Sequence, residues 1–284
     1  MERTPLDAAK ETVKRLGGKW HGGYGKARCP AHDDRSPSLS VTPGDKAVLF
    51  KCFAGCSQEQ IIDALRRGNY SVPIDRPGEP TEGRKDLSRL CRDLWAKALP
   101  LAGTPAQKYL DLRRIGHSTI GKFEPAALTY ENDKRIRLPA LYLPVHDNGR
   151  IVALDRVFLD PDGQKARALD EPKRTLADPR GGAVKIGKIR NDHLNLAEGF
   201  EDAESVIAMF NLPGCWSVGG TEFYARLKIP DHIRSITIYT QHGQGAAQGV
   251  EKGRVNLIGS QNRLLDIVPP PPGGDWNDAW RKAG

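Results

Sequence analysis

Two pairs of metal-binding side chains near the start of the chain constrain its fold more than any other feature. Cys29 and His32 form the first pair, in the spacing Cys-x2-His, and Cys52 and Cys56 form the second, in the spacing Cys-x3-Cys. Thiolate and imidazole donors arranged in two pairs are typical of a structural zinc site. Gly55 gives the second pair the backbone freedom that its extra residue needs. The sequence therefore predicts that these two pairs bind Zn²⁺.

The segment between the two pairs predicts a small β-hairpin. Alternating residues 38–41 precede a Pro-Gly-Asp turn, and the apolar residues 47–50 follow it. A unit of this size buries little apolar surface, so bound zinc would supply much of its folding free energy. Two alternatives stay open, in which the cysteines are ordinary core residues or form disulfides. The chain has 5 cysteines, an odd number, and its start does not look like a secretory signal, which favours zinc over disulfides.

The composition indicates a protein that handles polyanions and does not enter a membrane. Among 284 residues, 43 Lys and Arg outnumber 35 Asp and Glu, which gives a net charge of +8. A basic balance of this size points weakly to a nucleic-acid partner, because the charge is spread along the chain and forms no single tail. No apolar run approaches the roughly 18 residues of a membrane span. We therefore expect a cytoplasmic protein.

Four segments with different patterns predict a multidomain chain of mixed α+β and α/β class. Residues 1–68 combine helices with the zinc hairpin and predict a zinc-binding domain, and residues 69–84, rich in Pro, Gly and charge, predict a linker. Residues 85–190 predict two helices followed by a β-rich region. Residues 191–284 alternate strands with helices, which predicts a mainly parallel α/β sheet.

Local signals predict further element boundaries. Asn148-Gly149 and Asp162-Gly163 predict hairpin turns within the β-rich region. The segment at 164–169, QKARAL, is expected to continue the strand pattern. The segment at 223–230, FYARLKIP, is expected to be a helix.

Polar residues follow three predicted strands of the last segment. Glu198 follows the strand LNLA, Gln241 follows ITIYT, and Asp275 and Asp278 lie beyond LLDIV. The carboxyl ends of parallel strands meet at one edge of a sheet, where ligands bind. Converging carboxylates there supply the hard oxygen ligands that Mg²⁺ or Mn²⁺ prefers. A solvated loop position for Glu198 stays an open alternative, because a Glu-Gly pair after a strand is common.

These motifs resemble those of bacterial-type DNA primases, especially the primase-like proteins of phages, plasmids and integrated elements. The primase zinc-binding domain is similar to the segment CPAHDDRSPSLSV…KCFAGCSQEQIIDAL. A TOPRIM domain, the metal-binding fold of those primases and of some topoisomerases and nucleases, is similar to LNLAEGFEDAESVIAM…SITIYT…PGGDWNDAW. The resemblance covers about residues 20–68 and 100–284.

The resemblance implies a role for each site residue. The zinc ligands would be Cys29, His32, Cys52 and Cys56. Glu198 would match the family's glutamate, which lies near the metal ions or acts on the attacking hydroxyl, and Asp275 and Asp278 would match its acidic end motif. The family usually carries two carboxylates, Asp-x-Asp, after the strand SITIYT. This chain has Gln241 and Gly243 there, or Thr240 and His242 if the register shifts by one residue, and neither register supplies a carboxylate. Because divalent-metal affinity depends on ligand charge, this loss predicts weak metal binding and puts catalysis in doubt.

Basic residues of the β-rich region would line a groove for template and nucleotide phosphates in such a protein. They are Lys165, Arg167, Lys173, Arg174 and Lys185. A solvated charged face is an equally open interpretation of each. Three aromatic residues near or within the zinc motif, Trp20, Tyr24 and Phe53, are further candidates for base stacking, although such residues more often only cover a small zinc core.

Two functional hypotheses follow. In the first, the chain binds single-stranded DNA and joins ribonucleotides into RNA primers with Mg²⁺ or Mn²⁺. In the second, it is a primase relative without catalysis that binds DNA or a replication protein. Nuclease or topoisomerase chemistry on the same fold is less favoured. The sequence contains no phosphate loop of the helicase type, so a helicase partner would be a separate protein.

Overall fold

The described part of the chain divides into two compact units. The computed structural model describes residues 4–44, 47–68, 86–116, 120–131 and 134–283, so the predicted linker 69–84 lies outside the described residues. The first unit comprises Met1–Arg84 with Leu128–Arg137, and the second comprises Lys85–Ala127 with Leu138–Gly284. The domain boundaries inferred from the sequence near residues 68, 84 and 190 stay predictions.

The first unit contains a four-stranded antiparallel sheet and two helices. Its elements are α1 (Pro5–Arg15), β1 (Lys19–Trp20), β2 (Gly25–Ala27), β3 (Leu39–Pro43), β4 (Val48–Cys52) and α2 (Gln58–Arg67). The strands follow the order β1-β2-β3-β4, and neighbouring strands are antiparallel. The predicted hairpin is β3 with β4. Strands β1 and β2 were not predicted, because two or three residues are too few to show an alternating pattern.

Both helices of the first unit begin at a capping side chain. Thr4 accepts a hydrogen bond from the backbone N–H of Asp7, and Ser57 forms a reciprocal capping box with Gln60. Val13 and other apolar side chains of the two helices pack against the inward-facing side chains of the strands and form one small core. This core also contains Cys29 and Cys52, which places the predicted metal ligands at its border.

The second unit contains most of one nine-stranded sheet, of whose strands residues 128–131 and 134–137 belong to the first unit. Its helices are α3 (Ser88–Lys97), α4 (Pro105–Leu112), α5 (Phe200–Phe210), α6 (Gln244–Ile258) and α7 (Trp276–Ala283). Its strands are β5 (Lys122–Glu131), β6 (Lys134–Asp147), β7 (Arg150–Phe158), β8 (Lys173–Leu176), β9 (Ala183–Gly187), β10 (His193–Ala197), β11 (Gly214–Ser217), β12 (Ser235–Tyr239) and β13 (Leu264–Val268). The strand order is β13-β12-β10-β11-β9-β6-β7-β8, and β5 pairs with β6.

The sheet joins a parallel part to an antiparallel part. Strands β11, β10, β12 and β13 are parallel neighbours, as the βαβ pattern of the sequence predicts. Strand β9 is antiparallel to β11 on one side and to β6 on the other. The β-rich region and the α/β region therefore share one continuous hydrogen-bonded sheet.

Helices cover both faces of the parallel part. On one face, Ala197 and Tyr239 pack with apolar side chains of α4, α5 and α7. On the other face, Leu196 and Ile238 pack with α6 and with a short 3₁₀ helix, Thr221–Arg226. Successive strand residues alternate between these two cores, because side chains of a strand point to opposite faces.

Two local predictions differ from the structure. The segment FYARLKIP does not form an α-helix, since the 3₁₀ helix ends at Arg226 and extended backbone follows at Leu227. The chain turns at Asp162-Gly163 as predicted, with φ of 83° at Gly163, but in QKARAL the pairing is limited to an isolated antiparallel bridge between Leu159 and Lys165. Strand β7 pairs instead with β8, which starts at Lys173. By contrast, the predicted hairpin turn joins β6 to β7, with φ of 47° at Asn148 and 74° at Gly149. Among the described residues, no helix has the length and apolar character needed to cross a bilayer.

One buried carboxyl group in α5 makes stability depend on pH. Glu204 is 3% exposed, and burial raises its pKa from 4.5 to about 7. The folded state therefore keeps a proton that the unfolded state releases between these two pH values, so this group's contribution to stability is lost as pH rises from 4.5 to 7. We expect Glu204→Gln to raise the free energy of unfolding at pH 8 by on the order of 2 to 3 kcal/mol.

Urea unfolding followed by tryptophan fluorescence at pH 5 and pH 8 tests this expectation. The gain of Glu204→Gln should be small at pH 5, just above the unfolded-state pKa of 4.5, and should reach its full size at pH 8, above both pKa values, where the cost of burying the ionised carboxylate is fully present. Glu251→Gln, the same change at an exposed position of α6, is the matched control and should change neither value. An equal gain for Glu204→Gln at both pH values would contradict the assignment.

Candidate functional site

The four predicted zinc ligands converge at one end of the first unit's sheet. Their ligand atoms all lie within 4.8 Å of one another, and Nδ1 of His32 is 3.2 Å from Sγ of Cys56. Ligand atoms around a tetrahedral zinc ion are about 3.5 to 4 Å apart. Burial, together with the nearby thiols of Cys52 and Cys56, raises the pKa of Cys29 to about 12, a crowding that a bound cation relieves. The residues present therefore fit a Zn²⁺ ion.

Asp34, which the sequence did not reveal, holds the ligand-bearing segments of this cluster in position through its hydrogen bonds. Its Oδ2 accepts hydrogen bonds from the backbone N–H of Cys29 at 2.6 Å and from the N–H and hydroxyl of Ser38 at 3.1 and 2.6 Å. Its Oδ1 lies 3.6 Å from Nε2 of His32. Metal-binding histidines are commonly oriented by a carboxylate on the second ring nitrogen. The only sequence signal is an Asp followed by Ser two and four residues later, a pattern of local side chain-to-backbone bonds.

An exposed aromatic ring lies beside the zinc cluster. Phe53, the residue after Cys52, is 41% exposed. The ammonium of Lys51 lies 4.7 Å from its ring centroid and that of Lys26 lies 5.5 Å away. A flat apolar face between two positive charges suits a nucleic-acid base and its phosphates.

In the second unit, a cavity of about 170 Å³ lies where the parallel strands end. Glu198 directly follows β10, Gly219 follows β11 and Gln241 follows β12, so three strand ends form one wall. The other wall comes from the antiparallel strands β7 and β8, through Asp155 and Lys173. The remaining lining residues are Leu143, Arg156, Val157, Arg174, Thr175, Gly199, Phe200, Glu201 and Ser217.

Glu198 holds its proton more tightly than an ordinary glutamate. Burial, followed by the negative charges of Asp202 and Glu222, raises the pKa of Glu198 from 4.5 to about 7. Glu198, Glu201 and Asp202 lie close together because they fall within five consecutive residues at the start of α5. Glu222 comes from the 3₁₀ helix Thr221–Arg226. A carboxylate in such surroundings gains stability when a cation arrives.

Glu201, three residues away, has the opposite behaviour. Burial alone would raise its pKa, but the Lys173 ammonium and hydrogen bonds from Lys173 and Tyr109 lower the pKa of Glu201 to about 2. Nζ of Lys173 is 2.7 Å from Oε2, and the Tyr109 hydroxyl donates to Oε1. Glu201 is therefore a permanent anion with both oxygens engaged.

Gln241 is tied to Asp202 on the neighbouring helix. Its side-chain amide donates to Oδ2 of Asp202 at 2.8 Å, and the backbone N–H of Asn277 lies 3.4 Å from Oδ1. Burial, with the charges of Asp275 and Glu201, raises the pKa of Asp202 to about 6 although Gln241 opposes the shift. Gln241, which has no carboxylate of its own, thus holds the carboxylate of Asp202 in place.

Asp155, on β7, is a second functional candidate that the sequence did not reveal. It belongs to the β-rich region, and no motif distinguishes it from other strand residues. Burial raises its pKa, while the Thr175 hydroxyl donates to its Oδ1 at 2.6 Å. A Cβ atom on Gly219 would come within 3.1 Å of Oδ2, so glycine is the residue that fits beside it.

The two predicted aspartates of the last helix lie outside the cavity lining. Asp275 caps α7, because its Oδ1 accepts the backbone N–H of Asp278 at 2.7 Å. Its charge still reaches Asp202 and raises that residue's pKa. Asp278 lies 4.0 Å from the guanidinium of Arg281, one turn along the helix.

The five predicted basic residues occupy different surroundings. Lys173 and Arg174 line the cavity, and Lys165 is half-buried, with burial and then the charge of Lys173 lowering its pKa. Arg167 is exposed and pairs with Asp160 at 2.6 Å and Asp162 at 3.0 Å. Lys185 lies 4.2 Å from the ring centroid of Trp216, on the sheet face that packs with α6.

The acidic cavity is less closed than the zinc cluster. Within the described ranges, no three carboxylates of this cavity gather their oxygens within 4.8 Å, whereas the Cys3His group does. Magnesium-type ions are usually held by one or two carboxylates together with water and substrate phosphates. Glu198 and Asp202, whose pKa values are raised by crowding, supply oxygens of the right kind for such an ion.

Family models match two parts of the chain. A model described as Toprim domain matches residues 193–284, and a model described as domain of unknown function (DUF7146) matches residues 85–186. Residues 193–284 therefore form a Toprim domain, and Toprim domains in general bind divalent metals. A search of curated proteins found no match to the chain.

Solved primase structures are similar to this chain. A DNA primase domain from Pseudomonas aeruginosa is 16% identical, with a TM-score of 0.50 over 70% of this chain and 75% of that one. The DnaG catalytic core is 14% identical, with a TM-score of 0.46 over 70% and 74%. The primase fragment of the bacteriophage T7 primase-helicase protein is 12% identical, with a TM-score of 0.41 over 85% and 91%. The first of these likenesses shows a shared fold.

The Asp34 contacts generate a prediction about zinc retention. In Asp34→Asn one carboxylate oxygen becomes an NH₂ group, which accepts no hydrogen bonds. The side chain can then no longer accept on both sides, from Cys29 and Ser38 at one oxygen and from His32 at the other. We expect zinc affinity to fall by about 10- to 100-fold, the usual effect of losing such an orienting partner. The rate of zinc transfer to a coloured chelator measures the change.

Asp33→Asn is the matched control for that measurement. Its side chain is 91% exposed, and its contact is with Arg35 at 4.0 Å. This variant should release zinc as the unchanged protein does. Equal zinc affinity in both variants would show that Asp34 does not orient the ligands.

Proposed function

We propose that this chain, whose residues 193–284 form a Toprim domain, is a primase. It binds single-stranded DNA and joins ribonucleotides into short RNA primers by metal-dependent nucleotidyl transfer. Zn²⁺ is its structural ion, held by the Cys3His group, and Mg²⁺ or Mn²⁺ is its catalytic ion. We also propose that it acts in the cytoplasm, belongs to a phage or mobile element, and works with a helicase on a separate chain.

The observation that carries this proposal is the position of Glu198. It stands at the end of the first Toprim strand, lines a cavity with three basic side chains, and has a pKa raised to about 7. A cavity with both carboxylates and permanent cations suits a reaction between a metal-bound nucleotide and a polynucleotide end. A purely structural carboxylate would have its oxygens engaged, as those of Glu201 are.

The proposed chemistry uses the two walls of the cavity differently. Glu198 and Asp202 would hold the Mg²⁺ or Mn²⁺ ion, which supplies positive charge to the nucleotide phosphates as the new bond forms. Arg174, which lines the cavity, and Lys165, which lies outside the lining but within electrostatic reach of Lys173, would bind the phosphates and orient the α-phosphate toward the primer hydroxyl. Gln241 would keep Asp202 in position through its amide hydrogen bond.

The other predicted residues have supporting places in this proposal. Asp275 would add negative charge beside Asp202, and Asp278 would stabilise the start of α7 with it. Arg167 and Lys185 would contact polynucleotide phosphates outside the cavity, because neither lines it. Lys173 belongs to the cavity itself through its ion pair with Glu201.

The first unit would bind the template strand. Phe53, between Lys26 and Lys51, supports base stacking with adjacent phosphate contacts. The zinc cluster beside it would fix the strand β4 that carries Lys51. Template binding by this unit and nucleotide binding by the cavity are the two activities that a primase combines.

A second candidate function is DNA binding without catalysis. It is favoured by Gln241, a neutral residue whose amide donates a hydrogen bond to Asp202. A carboxylate at position 241 would instead have strengthened metal binding. Such a protein would act as an accessory or regulatory factor in replication. It would bind single-stranded DNA as tightly as a primase and form no primers.

Primer synthesis with a single-stranded DNA template, labelled ribonucleotides and Mn²⁺ tests the proposal. We expect labelled primers, and we expect Glu198→Gln to lower their formation by about 100-fold or more, because the variant loses a charged ligand at the reacting phosphates. Glu251→Gln, at an exposed position of α6, should be as active as the unchanged protein.

The outcomes separate the two functions. Unchanged synthesis by Glu198→Gln would refute the proposed role of this residue. Absence of primers from the unchanged protein, with DNA binding retained, would favour the accessory function.

The template-binding surface has its own test. Phe53→Ala should weaken binding to a single-stranded oligonucleotide by about tenfold, since base stacking contributes about 1 to 3 kcal/mol per base, and should leave the salt dependence unchanged. Lys51→Gln should instead reduce the slope of log affinity against log salt by about 0.7, because one phosphate contact is lost. Fluorescence anisotropy at several salt concentrations measures both quantities.

Leu6→Ala is the control for Phe53→Ala. Leu6 is 44% exposed on α1, so the change removes a similar exposed apolar surface elsewhere in the same unit. Equal DNA affinity of the Phe53 and Leu6 variants would exclude Phe53 as a stacking platform.

A further inference from the structure

Lys173 lies inside the acidic cavity rather than on an outer basic surface. Its ammonium is 2.7 Å from Oε2 of Glu201, and its charge partly opposes the rise that burial causes in the pKa values of Asp155, Glu198 and Asp202. The side chain is about half exposed, at 47%, while the Glu201 carboxylate is 9% exposed. One fixed positive charge therefore reaches all the carboxylates around this cavity.

The carboxylate oxygens differ in their capacity to accept a metal ion. Both oxygens of Glu201 are engaged by Lys173 and Tyr109, and one oxygen of Asp155 is engaged by Thr175. On Asp202, the Gln241 amide donates to Oδ2 at 2.8 Å, while Oδ1 has only the long contact of 3.4 Å with the backbone N–H of Asn277. Among the cavity-lining carboxylates of the described residues, Glu198 is the one whose side chain accepts no hydrogen bond.

The balance of charge in the lining limits the number of dications. Asp155, Glu198 and Glu201 line the cavity, and the permanent cations Arg156, Lys173 and Arg174 line it as well. Just outside the lining, Asp202, Glu222 and Asp275 add three carboxylates whose charges reach Glu198 or Asp202, and Lys165 adds one cation. With six carboxylates and four cations, a single dication neutralises the net negative charge of the site, whereas a second dication would find no negative charge left to compensate it.

We propose that this site holds one divalent cation, between Glu198 and Asp202, and that the Lys173 ammonium supplies the second positive charge of the reaction. This inference rests on the nucleotidyl-transfer function proposed above. Lys173 is held in place by Glu201, which in turn is held by Tyr109. Gln241 contributes by keeping Asp202 beside Glu198 without adding a charge that would attract another ion.

Mn²⁺ binding to the full chain, loaded with zinc and free of template and nucleotide, tests the inference. The signal of free Mn²⁺ in electron paramagnetic resonance gives both stoichiometry and affinity. We expect one Mn²⁺ per chain. In Lys173→Gln we expect Mn²⁺ to bind about tenfold more tightly, because a nearby like charge has been removed.

Two further variants make the measurement decisive. Lys173→Arg keeps the charge and should bind Mn²⁺ as the unchanged protein does, which separates charge from side-chain shape. Lys188→Gln removes an exposed lysine that follows β9 and does not line the cavity, so it should also leave Mn²⁺ affinity unchanged. Circular dichroism confirms that each variant is folded, and if Lys173→Gln is unfolded, the stoichiometry of the unchanged protein and the affinity of Lys173→Arg decide.

Several results would overturn the inference. They are two Mn²⁺ ions per chain, no Mn²⁺ binding at all, an unchanged or weaker affinity in Lys173→Gln, or an altered affinity in Lys173→Arg. Because the titration contains no template or nucleotide, failure here is distinct from failure of primer synthesis. A primase that binds two Mn²⁺ ions would retain the proposed function and exclude the single-cation site.

Discussion

The parallel pairing of β10 with its two neighbours is the constraint on which the cavity depends. Residues His193–Ala197 pair in register with Ser235–Tyr239, so the chain leaves both strands at the same edge of the sheet. Glu198 and Gln241 meet there, and α5 returns from that edge carrying Glu201 and Asp202. The opposite wall comes from antiparallel strands of the same sheet, which β9 connects to β11. Chemical groups distant in sequence are thus held at fixed spacing by backbone hydrogen bonds.

At this edge of the sheet, Glu198 and Glu201, three residues apart, differ sharply in their affinity for a proton. Glu201 is ionised at every ordinary pH because Lys173 and Tyr109 stabilise its anion, and its pKa is about 2. Glu198 lacks such partners among the described residues and has a pKa of about 7. The Glu201 carboxylate holds Lys173 in place, and the Glu198 carboxylate is available to bind a cation that enters the cavity. In the first unit, Asp34 has the anchoring role that Glu201 has here.

The sequence was most informative where chemistry and spacing coincide. Two short cysteine and histidine motifs were sufficient to predict the cluster in the first unit, and strand ends were sufficient to bring Glu198 and Gln241 together. Asp155 and the inward position of Lys173 could not be predicted, because they depend on how the antiparallel strands that precede the Toprim segment join the parallel sheet. The 3₁₀ helix was mistaken for an α-helix since its apolar residues serve both geometries.

The shared sheet has a consequence for how this protein tolerates insertion and deletion. Because side chains of a strand alternate between faces, loss of one residue within Arg150–Phe158 would turn Asp155 away from the cavity and point a neighbour inward. The same loss in the turn at Asn148-Gly149 would shift the pairing of β6 with β7 and have a similar effect. Length variation among natural variants should therefore gather in the connections outside this ladder, and the strand far from the Toprim motif should be as constant in length as the motif itself.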